Sequence, residues 1–305
     1  VPCFRPLEAW RSRLRGRSGK QLITFDRRQS FGLSLQLPCG QCIGCRLERS
    51  RQWAMRCVHE ASLHDENCFL TLTYDDEHVP TDGSLNKSHF QLFMKRLRSR
   101  FSECRIRYYH CGEYGGLYRR PHYHALLFGF DFADKQLFKV VAENRLYVSA
   151  TLGACWKLGF SSIGAVTFES AAYVARYVMK KVTGDAAVEH YVGCDEVTGE
   201  LVELLPEYTT MSRRPGIGRD WFDRFSSDVY PSDEVVLRGR SMRPPRYYDS
   251  ILDISDPHEL ERLKFLRKRQ AAKHEVDCTP ERLAVREFCK TVEVSRLLRS
   301  VENES

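Results

Sequence analysis

The chain has 305 residues, 42% of them hydrophobic, which is enough for one sizeable core or two modest domains. No stretch is long and apolar enough to span a bilayer. The basic opening VPCFRPLEAWRSRLRG lacks the apolar run and cleavage site of a signal peptide, so neither a membrane nor an export role is expected and a cytoplasm is the expected compartment. The net charge of +7, from 47 Lys and Arg against 40 Asp and Glu, is a mild excess whose distribution says more than its size. Arg11, Arg13, Arg15 and Arg17 are clustered near the start, and Lys20, Arg27 and Arg28 follow. Such a surface attracts phosphate backbones by counterion release, although a solvated basic arm would look the same. The start at Val1 in place of methionine points to processing or an edited beginning.

In chain order, residues 1–45 read as irregular, with one short strand at SLQLPC. A helix is expected from Arg46 to Leu63, with Trp53, Ala54, Cys57, Val58 and Ala61 on its apolar side. CFLTLTYDDEHVP begins as a strand, because Phe69, Thr71 and Thr73 alternate with Leu70, Leu72 and Tyr74. A second helix covers Lys87 to Arg98, capped by Asn86 or Ser88, and buries Phe90, Phe93, Met94 and Leu97. Strands at Cys104–Cys111 and His122–Phe130 flank the glycine-rich turn GEYGGLYRRP and should form a hairpin. Lys135–Glu143 reads as a helix and Gly159–Phe168 as extended. Ser170 is the expected cap of a helix over Ala171–Val182. Thr183–Thr210 is acidic and unpatterned, an excursion or lid, and MSRRPGIGRDW is turn-rich and basic. Late helices are expected from Pro257 to His274 and from Pro280 onward. The organisation that follows is a basic arm over 1–45, a core over 46–182, an extension over 183–250 and a charged helical region over 251–305.

Two constellations carry chemistry. His122 and His124 are two apart on a strand, so both imidazoles share one face while Tyr123 and Ala125 share the other. Imidazole binds transition metals, and a Mg²⁺ or Mn²⁺ site also wants an oxygen ligand. Glu113, on the incoming strand of the hairpin, can supply it, with His110 on that strand as its rival. Tyr173 and Tyr177, at i and i+4, share a helical face with Arg176 and Lys180, opposite Ala171, Val174, Ala175 and Val178. An amphipathic helix with boundary tyrosines would give the same pattern. The functional reading is sharper. A phenol is a weak nucleophile at neutral pH; a nearby cation favours phenolate, and a divalent ion polarises a phosphodiester. Tyrosine attack would conserve the bond energy in a 5′-phosphotyrosine and free a 3′ hydroxyl. A second tyrosine would allow alternating cleavage and closure of a circle.

Of the 12 cysteines, Cys39, Cys42 and Cys45 in PCGQCIGC have the spacing of metal ligands, and Cys3 is the candidate fourth. A structural Zn²⁺ would brace a segment poor in apolar residues; a 4Fe–4S cluster uses a similar spacing, and reduced thiols in a flexible arm remain a third reading.

The blocks LPCGQCIGCRLERSRQWAMR, FLTLTYDDEHVP, HCGEYG, RPHYHALLFG, AAYVARYVMKK and SRRPGIG, in this order, closely resemble the replication initiators of the microviruses, above all the gokushovirus branch, within the HUH endonucleases. The resemblance covers most of the chain. It implies an α+β fold, a central antiparallel sheet with packed helices, beside the cysteine metal module. It also implies His122, His124 and Glu113 as ligands of a catalytic Mg²⁺ or Mn²⁺, Tyr173 and Tyr177 as nucleophiles, and Lys180 as the basic residue beside them. The implied activity is nicking and rejoining of single-stranded origin DNA in rolling-circle replication, in the cytoplasm of a host bacterium. Arg11, Arg13, Arg15, Arg17, Arg213 and Arg214 are the expected DNA-backbone contacts. No helicase motif is visible, so host helicase and DNA polymerase are the expected partners. The rivals are a zinc-stabilised DNA-binding or packaging protein without catalysis, and a transposase or relaxase with the same chemistry.

Overall fold

A computed structural model describes residues 3–17, 19, 21–116, 118–141, 144–176, 181–182, 186–195 and 197–298. The chain forms two compact units, Val1–Arg49 with Leu266–Glu304, and Ser50–Phe265.

In the first unit, strands β1 (Leu7–Arg15), β2 (Gln21–Thr24) and β3 (Ser30–Leu37) form a three-stranded antiparallel sheet with β1 in the middle. This corrects the expectation of an irregular arm with one strand. Only β3 carries a clean apolar alternation, Leu33, Leu35 and Leu37 against Ser34 and Gln36; β1 mixes arginines among its apolar residues and β2 is four residues long.

Helix α1 (Ile43–Ala61) leads into the second unit, followed by β4 (Asn67–Thr73), α2 (Lys87–Arg100), β5 (Arg107–Tyr114) and β6 (Pro121–Phe128). Next come β7 (Gln136–Val141), β8 (Asn144–Val148), α3 (Ala150–Cys155), β9 (Ser161–Gly164) and α4 (Phe168–Arg176). The short elements α5 (Ala186–His190), β10 (Val192–Cys194) and β11 (Leu201–Glu203) precede β12 (Tyr208–Met211). Helix α6 (Arg219–Val229), the hairpin β13 (Val235–Leu237) and β14 (Arg240–Met242), and α7 (Arg246–Ser255), α8 (Pro257–Ala272) and α9 (Pro280–Leu298) complete the described chain. Among the described residues no helix is long and apolar enough to cross a membrane.

One seven-stranded antiparallel sheet, ordered β12-β5-β6-β4-β9-β8-β7, organises the second unit. The α+β class with a large antiparallel sheet and packed helices is therefore as expected. Strand β6 is buried at every position, the pattern of a central strand covered on both faces. On one face Leu70, Leu72, Tyr123 and Ala125 meet Phe90, Phe93, Met94 and Leu97 of α2 and the indole of Trp156. Burying each such side chain is worth roughly 1.5–3 kcal/mol. On the other face Tyr109, Cys111, Leu126 and Phe128 meet Ala54 and Cys57 of α1 and Ala171, Val174 and Ala175 of α4. A third core joins α6, α7 and α8 through Phe222, Tyr248, Leu252 and Leu263.

Local chemistry sets the helix starts. The Asn86 side chain accepts from the Ser88 amide at 2.9 Å, capping α2 as one of the two expected candidates. For α4 the cap is Thr167, not Ser170: the Ser170 amide donates to Thr167 Oγ1 (3.1 Å) and the Thr167 amide to Ser170 Oγ (2.8 Å), a reciprocal box that starts the helix earlier. The helix expected over 135–143 is instead the strand β7, which pairs antiparallel with β8 over NRLYV. The expected excursion over 183–210 ends in β12, which joins the main sheet beside β5.

Candidate metal centre and nucleophile

Strand register assembles the site. Glu113 of β5 pairs with His122 of β6, and Cys111 with His124; on the other side of β6, Thr73 pairs with His122 and Thr71 with His124. Directly paired residues share a face, so the carboxylate and both imidazoles project together. Glu113 Oε1 lies 2.7 Å from His122 Nε2 and 3.0 Å from His124 Nε2, and all three groups are buried. The three candidate ligand atoms lie within 4.8 Å of one another. Burial acts to raise the Glu113 pKa, but hydrogen bonds and charge from His122 and His124 outweigh it and bring it down to about 2, so the group is a carboxylate.

The backs of the rings are held as well. His122 Nδ1 lies 3.1 Å from the Arg120 carbonyl, which can only accept, so Nδ1 carries the proton. In the neutral ring Nε2 then presents a lone pair to the Glu113 oxygen, and two lone pairs at this distance repel unless a proton or a cation lies between them. His124 Nδ1 lies 3.1 Å from Thr71 Oγ1. A buried set of two imidazoles and one carboxylate, each ring oriented from behind, fits a divalent ion with mixed nitrogen and oxygen preference. Thr71 and the Arg120 carbonyl were missed in the sequence. The alternation in FLTLT carried the signal for Thr71, whereas a backbone carbonyl has no residue signature.

His110, the rival to Glu113, stands an odd number of residues away on β5 and faces α2. Its ring stacks on Phe90 with centroids 3.4 Å apart, on the opposite side of the sheet from the triad.

Helix α4 brings Tyr173 to the triad face. Its half-buried ring meets His124 edge to face at 5.2 Å and Phe69 at 6.3 Å, and the Arg176 guanidinium lies 5.9 Å from the Tyr173 ring centre. Tyr177 and Lys180 lie outside the described residues.

In the first unit the sulfurs of Cys3, Cys39, Cys42 and Cys45 lie within 4.8 Å of one another, and none is in a disulfide. Cys3 and Cys42 Sγ are 3.8 Å apart. That matches the edge of a tetrahedron around a single ion with metal–sulfur bonds of ~2.3 Å. A four-iron cluster places a separate iron under each thiolate and spreads the sulfurs wider. Amides aim at the sulfurs: Cys39 N–H at Cys3 (3.2 Å), Phe4 N–H at Cys42 (3.3 Å) and Cys42 N–H at Cys39 (3.3 Å). Burial opposes ionisation of Cys42, yet the amides of Cys45 and Phe4 and the neighbouring thiols bring its pKa down to about 7.

Comparison with known proteins decides the family. The family model described as replication-associated protein ORF2/G2P matches residues 67–182, the stretch that holds Glu113, His122, His124, Tyr173 and Tyr177. The chain is 37% identical over 225 residues to the replication-associated protein VP4 of Bdellovibrio phage phiMH2K, a match covering 70% of this chain and 67% of that one. It is 31% identical over 270 residues to the replication-associated protein ORF2 of Spiroplasma virus 4, covering 82% and 79%. The chain belongs to the replication-associated proteins of gokushovirus-type phages. A further member, ORF4 of Chlamydia phage 1, is 31% identical over 264 residues, covering 81% of this chain and 63% of the relative. No solved structure matches.

The six arginines expected at the DNA backbone fall in two places. Arg11, Arg13 and Arg15 stand exposed on β1 and Arg17 in the turn after it. Register puts Phe31, Arg11 and Ile23 in one exposed cross-strand row. Arg213 and Arg214 are exposed at the head of a loop held from beneath in the second unit. Arg107 Nη2 donates to the Pro215 carbonyl (3.0 Å), Arg56 Nε to the Ile217 carbonyl (2.9 Å), and the Gly218 amide donates to Glu60 Oε2 (2.7 Å). Glu60 and Arg107 are themselves a buried ion pair. Gly218 has φ +77°, and a Cβ there would meet Tyr248 Oη at 2.9 Å and the Arg56 carbonyl at 3.2 Å, so only glycine suits the turn.

Proposed function

We propose that this chain is the replication initiator of its phage, an HUH-class endonuclease that nicks single-stranded origin DNA through a 5′-phosphotyrosine and rejoins the strand to release circular genomes. The observation that carries the reading is Tyr173 standing against His124 on the face of the sheet that also presents Glu113 and His122. Its relatives are named replication-associated proteins, which supports a role in genome replication.

Glu113, His122 and His124 would hold Mg²⁺ or Mn²⁺, and the ion would supply Lewis-acid polarisation of the scissile phosphate. In the cleavage step the phenolic oxygen forms a bond to phosphorus and the bond from phosphorus to the 3′ oxygen breaks. The phenol proton ends on the released 3′ hydroxyl, so the step needs no external energy source. The Arg176 guanidinium, 5.9 Å from the Tyr173 ring centre, is the cation assigned beside this nucleophile. Tyr177 is assigned as the other nucleophile of the alternating pair, and Lys180 as its cationic neighbour. Arg11, Arg13, Arg15, Arg17, Arg213 and Arg214 are assigned to the DNA backbone, with a structural Zn²⁺ on Cys3, Cys39, Cys42 and Cys45. Host helicase and DNA polymerase would act on the freed 3′ end in the bacterial cytoplasm.

The test is incubation with origin-containing single-stranded DNA and Mn²⁺, followed by denaturing electrophoresis. A covalent protein–DNA band that His124→Ala removes, with peptide mapping to Tyr173 or Tyr177, is expected. DNA binding without any covalent band would instead make the chain a binding protein, and an adduct on another tyrosine would overturn the mechanism.

A further inference from the structure

On the face of the sheet opposite the triad, a cleft of about 660 Å³ runs between α2 and the edge strand β12. One wall is a ridge of α2 on which Lys87, Gln91, Lys95 and Arg98 recur at helical spacing, all exposed. Arg213, at the end of β12, closes the other side. No carboxylate lines the cleft, and none of these four cations makes an ion pair among the described residues. Four positive charges are therefore gathered without internal compensation.

The floor is aromatic. Lys87 Nζ lies 4.8 Å from the Tyr208 ring centre, and the Arg98 guanidinium lies 5.6 Å from that of Tyr108. Tyr208 lies over β5 because Gly112, its paired residue, has no side chain; a Cβ there would come within 2.9 Å of the ring. Two lining residues also carry unmet polar atoms. Tyr208 Oη and His110 Nε2 are buried, and neither has a hydrogen-bond partner among the described residues. Buried polar atoms are nearly always paired, so two orphans beside one cleft mark a place that water or a ligand must enter to satisfy them.

We infer that this cleft is a second binding tract for single-stranded DNA, in which Lys87, Lys95, Arg98 and Arg213 take phosphates and the Tyr108 and Tyr208 rings take bases. Aromatic platforms flanked by cations are what a flexible single strand uses, since every base has a stacking face and every linkage a charge. A duplex cannot offer its bases to the floor, and acidity alone gives a peptide no ring to stack there. The inference rests on the reading of the chain as a single-strand nuclease, but places the strand on the side of the sheet away from the chemistry, with the edge at β12 as the route between them.

The test uses the full chain, with divalent ions withheld so that binding is read alone, and fluorescence anisotropy of a labelled oligothymidylate over a range of salt. Lys87→Gln with Lys95→Gln should lower affinity and reduce the log–log salt slope by ~0.7 for each phosphate that is no longer neutralised. Tyr208→Phe removes a buried hydroxyl that has no partner among the described residues, so a merely structural role predicts equal or greater thermal stability and unchanged affinity. The inference predicts weaker oligonucleotide binding at undiminished stability. An unchanged salt slope in the lysine variant, or an equal loss of affinity for a duplex of the same length, would overturn it. Covalent adduct formation is scored separately with Mn²⁺ present, so failure of the nicking reading is distinct from failure of the cleft.

Discussion

The ring of Tyr173 meets the ring of His124 edge to face at 5.2 Å, although one is carried by α4 and the other by β6. Packing on both sides fixes this relationship: Ala171, Val174 and Ala175 seat the helix on Leu126 and Phe128, so the residue between them is delivered to the histidine. The proposed nucleophile, set this way, need not search for the phosphate that the triad would grip. Tyr173→Phe should leave the fold and the metal affinity unchanged while shifting the DNA adduct wholly to Tyr177, and the double Phe variant should form none. Mass spectrometry of the adduct peptides reads the shift.

Thr71 should matter to metal binding without being a ligand. Its hydroxyl orients His124 through Nδ1, and loss of such a partner commonly costs ~10–100-fold in metal affinity or activity. Thr71→Val is the nearest isostere, and calorimetric titration with Mn²⁺ should show that loss with a normal melting curve. Unaltered affinity would mean that the ring is oriented by packing against Phe69 alone.

The chain should lose stability in mild acid through His59. This imidazole is buried, stacks on Trp221, contacts Tyr248 Oη at 2.7 Å, and is held down to about 3 by burial, against an ordinary value of 6.5. A folded-state pKa below the unfolded one means that its contribution is complete above pH ~6.5 and is lost as pH falls toward the folded value, by up to ~1.4 kcal/mol per pH unit. Urea unfolding between pH ~7 and ~4 should show this slope, and His59→Phe should flatten it by one group. Equal slopes in the two proteins would show that the ring is charged in the folded state.

Much of this site was legible because a strand has a period of two. His122 and His124 had to share a face, and the glycine-rich turn had to bring Glu113 back toward them. What was hidden follows from chemistry that residue identity does not encode. The Arg120 carbonyl behind His122 belongs to no side chain. The β7 and β8 pair was hidden because QLFKVV suits a helix as readily as a strand, and pairing with NRLYV decided it. The first sheet escaped because β1 mixes arginines among its apolar residues and β2 is four residues long. The choice between Glu113 and His110 needed the register, since three residues along a strand reverse the face.

Glu60 should be among the most sensitive positions outside the site. It pairs with buried Arg107 and accepts from the Gly218 amide, and both contacts support the loop that begins with Arg213 and Arg214. Glu60→Ala strands a buried guanidinium and should cost ~3–5 kcal/mol in urea unfolding. Replacing both partners by apolar residues should recover much of the loss, which distinguishes the orphaned charge from simple packing.

The cysteine cluster should hold one zinc ion per chain. Chelation, or Cys42→Ser, should remove the metal and lower the melting temperature of the chain, because ligand assembly contributes folding free energy. Elemental analysis that finds iron, with visible absorption, would replace zinc by a cluster.

The hairpin of β5 and β6 also separates two requirements on the fold. Glu113 and His122 are nine residues apart, so closing one short turn is enough to align them. Tyr173 reaches His124 only after a long stretch of chain has returned and a helix has docked. Short loops close at lower entropic cost than long ones. The proposed metal ligands and the proposed nucleophile therefore depend on different parts of the fold, the first on one short turn and the second on the docking of α4.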